Sequence, residues 1–504
     1  MQEKHVIVIG GSVAGLGVAL ALSARGHRVT VLEADATPLP DSHSEAFEKW
    51  DRKGSPQARQ SHALLAPLHN RIRDHAPDLL DELKACGAEE LRFMDRAPQL
   101  FDDPEFEKGD EDMVFLACRR MTFEWVLRRH VLGTRRVEFL DGAEVVRLEA
   151  QSDGASGLPS VTGVWAKLGG EAETLLEGDL VVDASGRRSP LRRWLPEIGT
   201  PPVREESSPC GIFYTSRFYR LLDGAEPPPL DGGIVGVDLG YLKIGLFAGD
   251  SRVFSITLAA SPQDDEIRGV LHRPAFDTAV AEIPLLAGWA NPEISEPVSD
   301  VHGMANLNNT RRFFVENGEP LALGVIPVGD SMVHTNPISG RGCSLAFTSA
   351  FALADCLDEN PDDLHALALA YEQHVERDVV PWYELQVAQD TDAIEVAEAQ
   401  RRGEDPYRVT LEDGTPNPKG HIRSLLRDGL GPALQEDFRL LRHFMRTVHM
   451  LDGPGEMIKN PEVIQSLMAS YAKRDEREKV VLGPSRDEMV ELFAALDADT
   501  DSGS

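Results

Sequence analysis

The stretch His5-Val6-Ile7-Val8-Ile9-Gly10-Gly11-Ser12-Val13-Ala14-Gly15 decides how this chain begins to fold. His5 to Ile9 is a short β-branched run suited to a strand buried on both faces. From Val13 to Arg25 the sequence turns rich in Ala and Leu, which predicts a helix, and Gly26 sits where a left-handed cap would end it. Arg28 to Leu32 supplies a second strand, so the opening reads as a βαβ unit around a G-x-[G/S]-x-x-G turn. In such a turn Gly10 permits the sharp bend, a small residue at Ser12 lets a diphosphate approach the backbone, and Gly15 lets helix and strand pack closely. Ser12 departs from the usual glycine. Val13 and Ala14 open the helix, where free amides and the positive end of the dipole face an anion. Glu33 ends the second strand, where a carboxylate can accept hydrogen bonds from both ribose hydroxyls of an adenosine and disfavours a 2′-phosphate. An adenine dinucleotide is the expected tenant, and a ligand-free structural turn is the plainer alternative.

Composition narrows the field. The 504 residues are 42% hydrophobic and 27% charged, enough for two or three packed units with a buried site. A net charge of −32 repels phosphate backbones and anionic headgroups, which argues against nucleic acid as the main partner. The five cysteines have no CxxC spacing and fit reduced thiols in a cytoplasm. Val6 to Ala24 carries no charge and could be scored as a signal or a spanning helix. Its cluster of glycines, and the apolar run that follows at Val29 to Leu32, read instead as strand, turn, helix, strand. No membrane span is expected.

Two later turns repeat the pattern of an apolar strand running into small residues. One is Asp183-Ala184-Ser185-Gly186. The other is Gly329-Asp330-Ser331, followed by Pro337-Ile338-Ser339-Gly340-Arg341-Gly342 and a helical stretch from Cys343 to Leu357 that reads as amphipathic. Taken singly, the last of these could be a helix-opening turn with Asp330 as a cap. In this order the three motifs resemble the flavoprotein monooxygenase superfamily of the para-hydroxybenzoate hydroxylase type, whose branches include polyether epoxidase-like and halogenase-like flavoproteins. The resemblance covers roughly the first three quarters of the chain. It implies FAD as cofactor, with Asp330 on the ribityl chain and with Gly329, Pro337, Gly340 and Gly342 passing close to the isoalloxazine ring. Asp183 falls on the second strand-end acid position of that family. Arg120, in Arg120-Met121-Thr122-Phe123-Glu124, matches an R-x-x-[LF]-E helix start that contacts the cofactor. The segment from Arg52 to His62 is similar to one in the epoxidase-like branch, and there Arg59 would approach the flavin. Amides at Gly340 and Gly342, at a helix start, would face the negative charge of reduced flavin.

The expected fold is α/β: a Rossmann-like FAD-binding domain (1–75, 111–204 and 311–380), a substrate domain with an inserted antiparallel β-sheet (76–110 and 205–310), and a helical C-terminal region (381–504). Residues 38–60 are polar and turn-rich and read as a surface excursion. The resemblance implies an FAD-dependent monooxygenase that inserts one oxygen atom, by hydroxylation or epoxidation, into an apolar or aromatic small molecule through a flavin C4a-hydroperoxide. NAD(P)H or a separate flavin reductase would donate electrons, since no second nucleotide-binding βαβ unit is evident. No catalytic acid or base stands out, as expected where the cofactor performs the difficult step. No metal-ligand spacing occurs among the histidines, of which His62 alone could face the flavin, and Cys343 reads as a packed small residue with a lowered thiol pKa as the alternative. Alternatives within the fold are a halogenase, although no W-x-W pair is present, and a reductase or dehydrogenase. A lipid or prenyl-protein escort without catalysis is the alternative outside it. Phe213, Tyr214, Phe218, Tyr241 and Phe247 are candidates for lining the substrate domain.

Overall fold

Valines and isoleucines with no polar neighbour to satisfy favour the middle of a sheet covered on both sides, and there the first strand lies. In a computed structural model, which describes residues 3–152, 154, 157–228, 234–478 and 480–501, β1 (His5–Ile9), α1 (Val13–Ala24) and β2 (Arg28–Glu33) form the expected unit. Gly26 takes φ +92°, the left-handed cap. α2 (Arg120–Leu132) leads into β3 (Val137–Asp141), and β4 (Leu180–Asp183) and β5 (Val325–Pro327) complete a sheet of order β5-β4-β1-β2-β3. All four pairings are parallel, with Ile9 opposite Leu32 on one side and Asp183 on the other. The chain runs from β1 outward to β2 and β3, then returns to the other side of β1. The first turn therefore lies at the carboxyl ends of the strands where the order reverses, the usual place for a ligand crevice. α3 (Gly342–Glu359) packs on α1, with the space of a Gly17 side chain taken by the Phe347 ring at 3.4 Å. α3 is buried on most of its circumference, not amphipathic as its sequence suggests, because it is flanked on several sides.

By contact density the chain forms two units. The first comprises Met1–Ala88, Cys118–Pro209 and Asn308–Val387; the second comprises Glu89–Ala117, Cys210–Leu307 and Ala388–Ser504. The first also holds a three-stranded antiparallel sheet over Ala143–Ser152, Pro159–Leu168 and Glu173–Glu177.

Segment 38–60 departs from the surface excursion expected of it. A short helix, His43–Lys49, buries Phe47, and Trp50 and Arg52 follow it inward. The cause is stacking of cations on aromatic faces, which polar composition conceals. The Arg119 guanidinium lies 4.6 Å from the Phe47 ring centre, and Arg52 lies 4.8 Å from that of Trp50.

In the second unit a six-stranded antiparallel sheet includes Leu242–Ala248, Val253–Ala260 and Phe213–Leu221 side by side. Leu242, Ile244 and Leu246 alternate with less buried neighbours, so one face carries the core. That face packs on helices Arg273–Glu282 and Pro284–Trp289, with Met489 and Phe493 from helix Arg486–Asp501. The C-terminal helices add a smaller cluster around Leu440, Val463 and Leu467. Buried Asp110 takes both carboxylate contacts from Arg442 Nε, at 2.9 and 2.8 Å. Among the described residues no helix is long and apolar enough to cross a membrane.

Candidate functional site

The three glycine-and-acid corners meet within the first unit. At the first, Gly10 adopts φ +102° and a Cβ there would stand 2.6 Å from the Ala184 carbonyl oxygen. A Cβ on Gly15 would stand 1.8 Å from the Gly10 carbonyl oxygen. Only glycine allows α1 to lie this close to the turn. The second corner joins the third through the Gly186 amide, which donates to Ser331 Oγ at 3.0 Å, and the Val328 amide, which donates to the Asp183 carbonyl at 2.9 Å. Gly329 faces the Ala14 methyl, with 3.3 Å to the position of its missing Cβ, which brings the third corner against the first. Pro337 opens a single 3-10 turn that Gly340 ends in the left-handed region, and Gly342 begins α3. A Cβ on Gly340 would come within 2.9 Å of the Ala63 methyl, so the segment from Arg52 to Leu65 reaches the same place.

A buried ionic network underlies the first corner. Ser12 precedes α1 but does not cap it with its side chain. Its hydroxyl donates to Glu124 Oε2 at 2.9 Å and accepts from Arg120 Nη2 at 3.0 Å and from Ser55 Oγ at 3.2 Å. Arg120 reaches Glu124 again through Nε at 3.1 Å and donates through Nη1 to Cys343 Sγ at 3.1 Å, tying the first corner to the start of α3. Arg52 Nη2 lies 2.8 Å from Glu124 Oε1 and donates to Glu33 Oε2 at 3.2 Å. The Glu33 carboxylate also accepts the Gly11 amide at 3.1 Å and the Asp35 amide at 2.9 Å. The side chains of Arg52, Arg120 and Glu124 are 3%, 6% and 1% exposed. Burial alone would raise the Glu124 pKa, but Arg52 and Arg120 overcome it and hold the carboxyl below its ordinary range.

Other groups divide by surroundings. Burial works to raise the Asp330 pKa, yet His334, 3.1 Å away, together with Arg120 and Arg187, keeps it lowered and the group ionised. Burial, and then the charge of Arg120, presses His62 down to about 4, so its ring is neutral near pH 7; its Nδ1 lies 2.9 Å from the Gln60 carbonyl. The Cys343 thiol is pushed up by burial, against the lowered alternative, because desolvation outweighs the nearby guanidinium.

Two expected residues stand elsewhere. Asp183 is fully buried, and its carboxylate is consumed by the Ser185 amide at 3.0 Å and by the Ser185 and Ser189 hydroxyls at 2.5 Å each. It organises the second corner from inside, with burial raising its pKa. Arg59 bends away and donates to the Glu48 carbonyl at 3.5 Å. Arg52, seven positions earlier in the same segment, occupies the network instead. Glu124 was visible as the last letter of the R-x-x-[LF]-E pattern. Arg312 carried no signal: its Nη1 donates to the carbonyls of Asp330 at 3.2 Å and Ser331 at 3.0 Å, and its Nη2 to that of Arg187 at 2.8 Å, clamping the second and third corners. Glu205 Oε2, 2.7 Å from Arg312 Nε, balances its charge.

A parallel sheet with a diphosphate-type turn at its switch point, and two further corners beside it, is the architecture of a dinucleotide-binding domain. Comparison with known proteins agrees: residues 5–172 match the family model described as FAD dependent oxidoreductase. Over its first third the chain is thus similar to FAD-dependent oxidoreductases, and its fold is the one seen in solved flavoprotein monooxygenases and halogenases. Protein Rv3254 of Mycobacterium tuberculosis is 28% identical over 370 residues, 69% of this chain and 72% of that protein. The 6-hydroxy-3-succinoylpyridine 3-monooxygenase HspB of Pseudomonas putida is 28% identical over 369 residues, 71% of this chain and 80% of its own length. Among solved structures, the flavin-dependent brominase Bmp2 superposes with a TM-score of 0.57 at 16% identity, covering 94% of this chain and all of that one.

Proposed function

We propose that the protein is an FAD-dependent monooxygenase that hydroxylates or epoxidises an apolar or aromatic small molecule, with NAD(P)H or a partner reductase as electron donor. The observation that carries this reading is the convergence of the three corners on one crevice, together with similarity over most of the chain to HspB, a named monooxygenase.

The residues present suit FAD. The first-turn amides of α1, around Val13 and Ala14, have no acceptor within the helix, and Arg52 Nε and Nη1 are buried without a partner. These donors suit the diphosphate. Glu33, held at the end of β2, offers its remaining lone pairs to the adenosine ribose. A side chain at Gly342 would meet open space, so a flat ring has room there, with the α3 amides behind it. Asp330, kept ionised, serves as acceptor for ribityl hydroxyls. When bound, FAD supplies two-electron transfer and activation of dioxygen. The chain's task is to hold these donors fixed, and Arg120, through Ser12 and Cys343, and Arg312, through three carbonyls, do so. Among the described residues none of the five cysteines is in a disulfide and four are buried, which accords with a cytoplasmic location.

The test is aerobic incubation with NADH and NADPH across apolar candidates, with and without halide, reading oxygen uptake, flavin reduction and product mass. A product heavier by one oxygen atom, with reduction stimulated by that substrate, is the expected result. Halogen incorporation, or turnover without oxygen uptake, overturns it in favour of a halogenase or a reductase. Protein that is colourless and stays so when FAD is offered overturns it in favour of an escort.

A further inference from the structure

The second unit contains a cavity of about 980 Å³ that none of the residues above uses. Its floor includes Ile212 and Ala259, on the sheet face opposite the core, with Ala260 beside them at the end of its strand. Its wall is the later part of helix Val380–Arg401, where Ala393, Val396 and Ala397 are short. At the mouth stand Ile422 and Leu426, which are 56% and 47% exposed, large apolar side chains with nothing packed over them. Such side chains on a concave surface mark a place where something else is bound.

Charge decides the kind of ligand. Five cations line the cavity, but they are held by protein groups. Arg423 grips Asp392 at 2.7 Å and Glu395 at 2.9 Å, and Arg486 holds Asp264 at 2.8 Å and Glu266 at 2.6 Å. Lys243 pairs with Asp238, Lys419 with Glu395, and Arg401 bonds Gln263. Four of these cations are thus paired with carboxylates, and Arg401 is held by a neutral amide. Asp238, Asp264, Asp392 and Asp487 also line the cavity, so its acidic lining opposes a carboxylate or phosphate, which must also lose its water on entering. Volume decides the size. Sites for drug-sized ligands span about 300 to 1,000 Å³, and this cavity lies at the top of that range, far more than one aromatic ring fills.

We infer that the second unit holds an uncharged, largely apolar molecule with the bulk of several fused rings. On the oxygenase reading, on which this identification rests, that molecule is the substrate.

The probe is Nile red, an uncharged fused-ring dye, titrated into the FAD-loaded protein by fluorescence, with anilinonaphthalene sulfonate as an anionic comparator. Saturable Nile red binding is expected, at least tenfold tighter than the anion. Ala397→Trp, which fills the chamber, and Ile422→Glu, at an exposed site where folding is not at risk, should each weaken it tenfold or more while flavin absorbance and melting stay at the parent values. Absence of saturable binding, tighter binding of the anion, or Ile422→Glu binding as the parent does overturns the inference. Should Ala397→Trp misfold, the Ile422→Glu result stands alone. Protein that takes up no FAD yet binds Nile red in this pattern would refute the oxygenase reading and leave the ligand site in place.

Discussion

Replacing Glu124 by Ala removes the one carboxylate shared by two buried guanidiniums. Arg52 would keep Glu33 at 3.2 Å, but Arg120 would be left with only the neutral Ser12 hydroxyl and Cys343 thiol. Breaking a buried pair by deleting one partner costs about 3–5 kcal/mol, because the other charge stays desolvated. With a urea slope of about 3 kcal/mol/M for a unit of this size, the midpoint should fall by about 1–2 M. The assay is urea unfolding at pH 7.5, read by far-ultraviolet circular dichroism and by release of flavin fluorescence. The pH dependence has a definite sign. The folded-state pKa of Glu124 is depressed, so its contribution is fully present above about 4.5 and is lost as the pH falls below that. The deficit of the variant should therefore be constant from pH 6 to 8 and shrink in acid. A triple replacement, Arg52→Met with Arg120→Met and Glu124→Leu, should recover much of the stability but not the affinity for FAD. A Glu124→Ala midpoint within 0.3 M of the parent, a shift about a fifth of that expected here, would refute the reasoning.

Gly15→Ala places a methyl 1.8 Å from a backbone oxygen that cannot move aside, so the purified variant should lack the yellow absorbance of bound flavin. Arg312→Met releases three carbonyls at the second and third corners and should raise the Kd for FAD about tenfold or more by fluorescence titration, given about 1.5–3 kcal/mol for hydrogen bonds from a charged donor; an unchanged Kd would deny it a positioning role. His62, held down to about 4 against an ordinary value near 6.5, stays neutral while the unfolded chain takes up a proton. Stability should thus fall as the pH drops from about 6.5 to 4, and His62→Gln should flatten that slope in urea midpoints at pH 7.5, 6 and 5.

The strands and helix of the opening unit were legible because each depends on neighbours in sequence: β-branched runs, an Ala-rich helix, and glycines spaced for one turn. The three corners were legible for the same reason. What escaped depends on side chains that reach across the chain. Arg52 and Arg59 are alike by composition, and only the burial of Trp50 and the location of Glu124 decide which one turns inward. Asp183 has the strand-end position of a ligand-facing acid, yet two serines a few residues later claim it. Arg312 acts on backbone carbonyls, which leave no trace in sequence. In the second unit, Tyr241 of the five aromatic candidates lines the cavity, while Phe213 and Tyr214, one step apart, take opposite faces, Phe213 in the core and Tyr214 in the smaller cluster with Ile212 and Ala259.

Each unit is assembled from three separated lengths of chain, and the Asp110 to Arg442 pairing spans 332 positions. During synthesis the nucleotide crevice cannot be finished until the segment beginning at Asn308 has left the ribosome. At about 5–20 residues per second that is a wait of roughly 15 to 60 seconds, with the apolar strands β1, β2 and β4 made and β5, the edge partner of β4, still missing. Nascent protein of this design should lean on chaperones that shield unpaired strands, and its soluble yield should respond to translation speed and growth temperature more than to any single surface substitution.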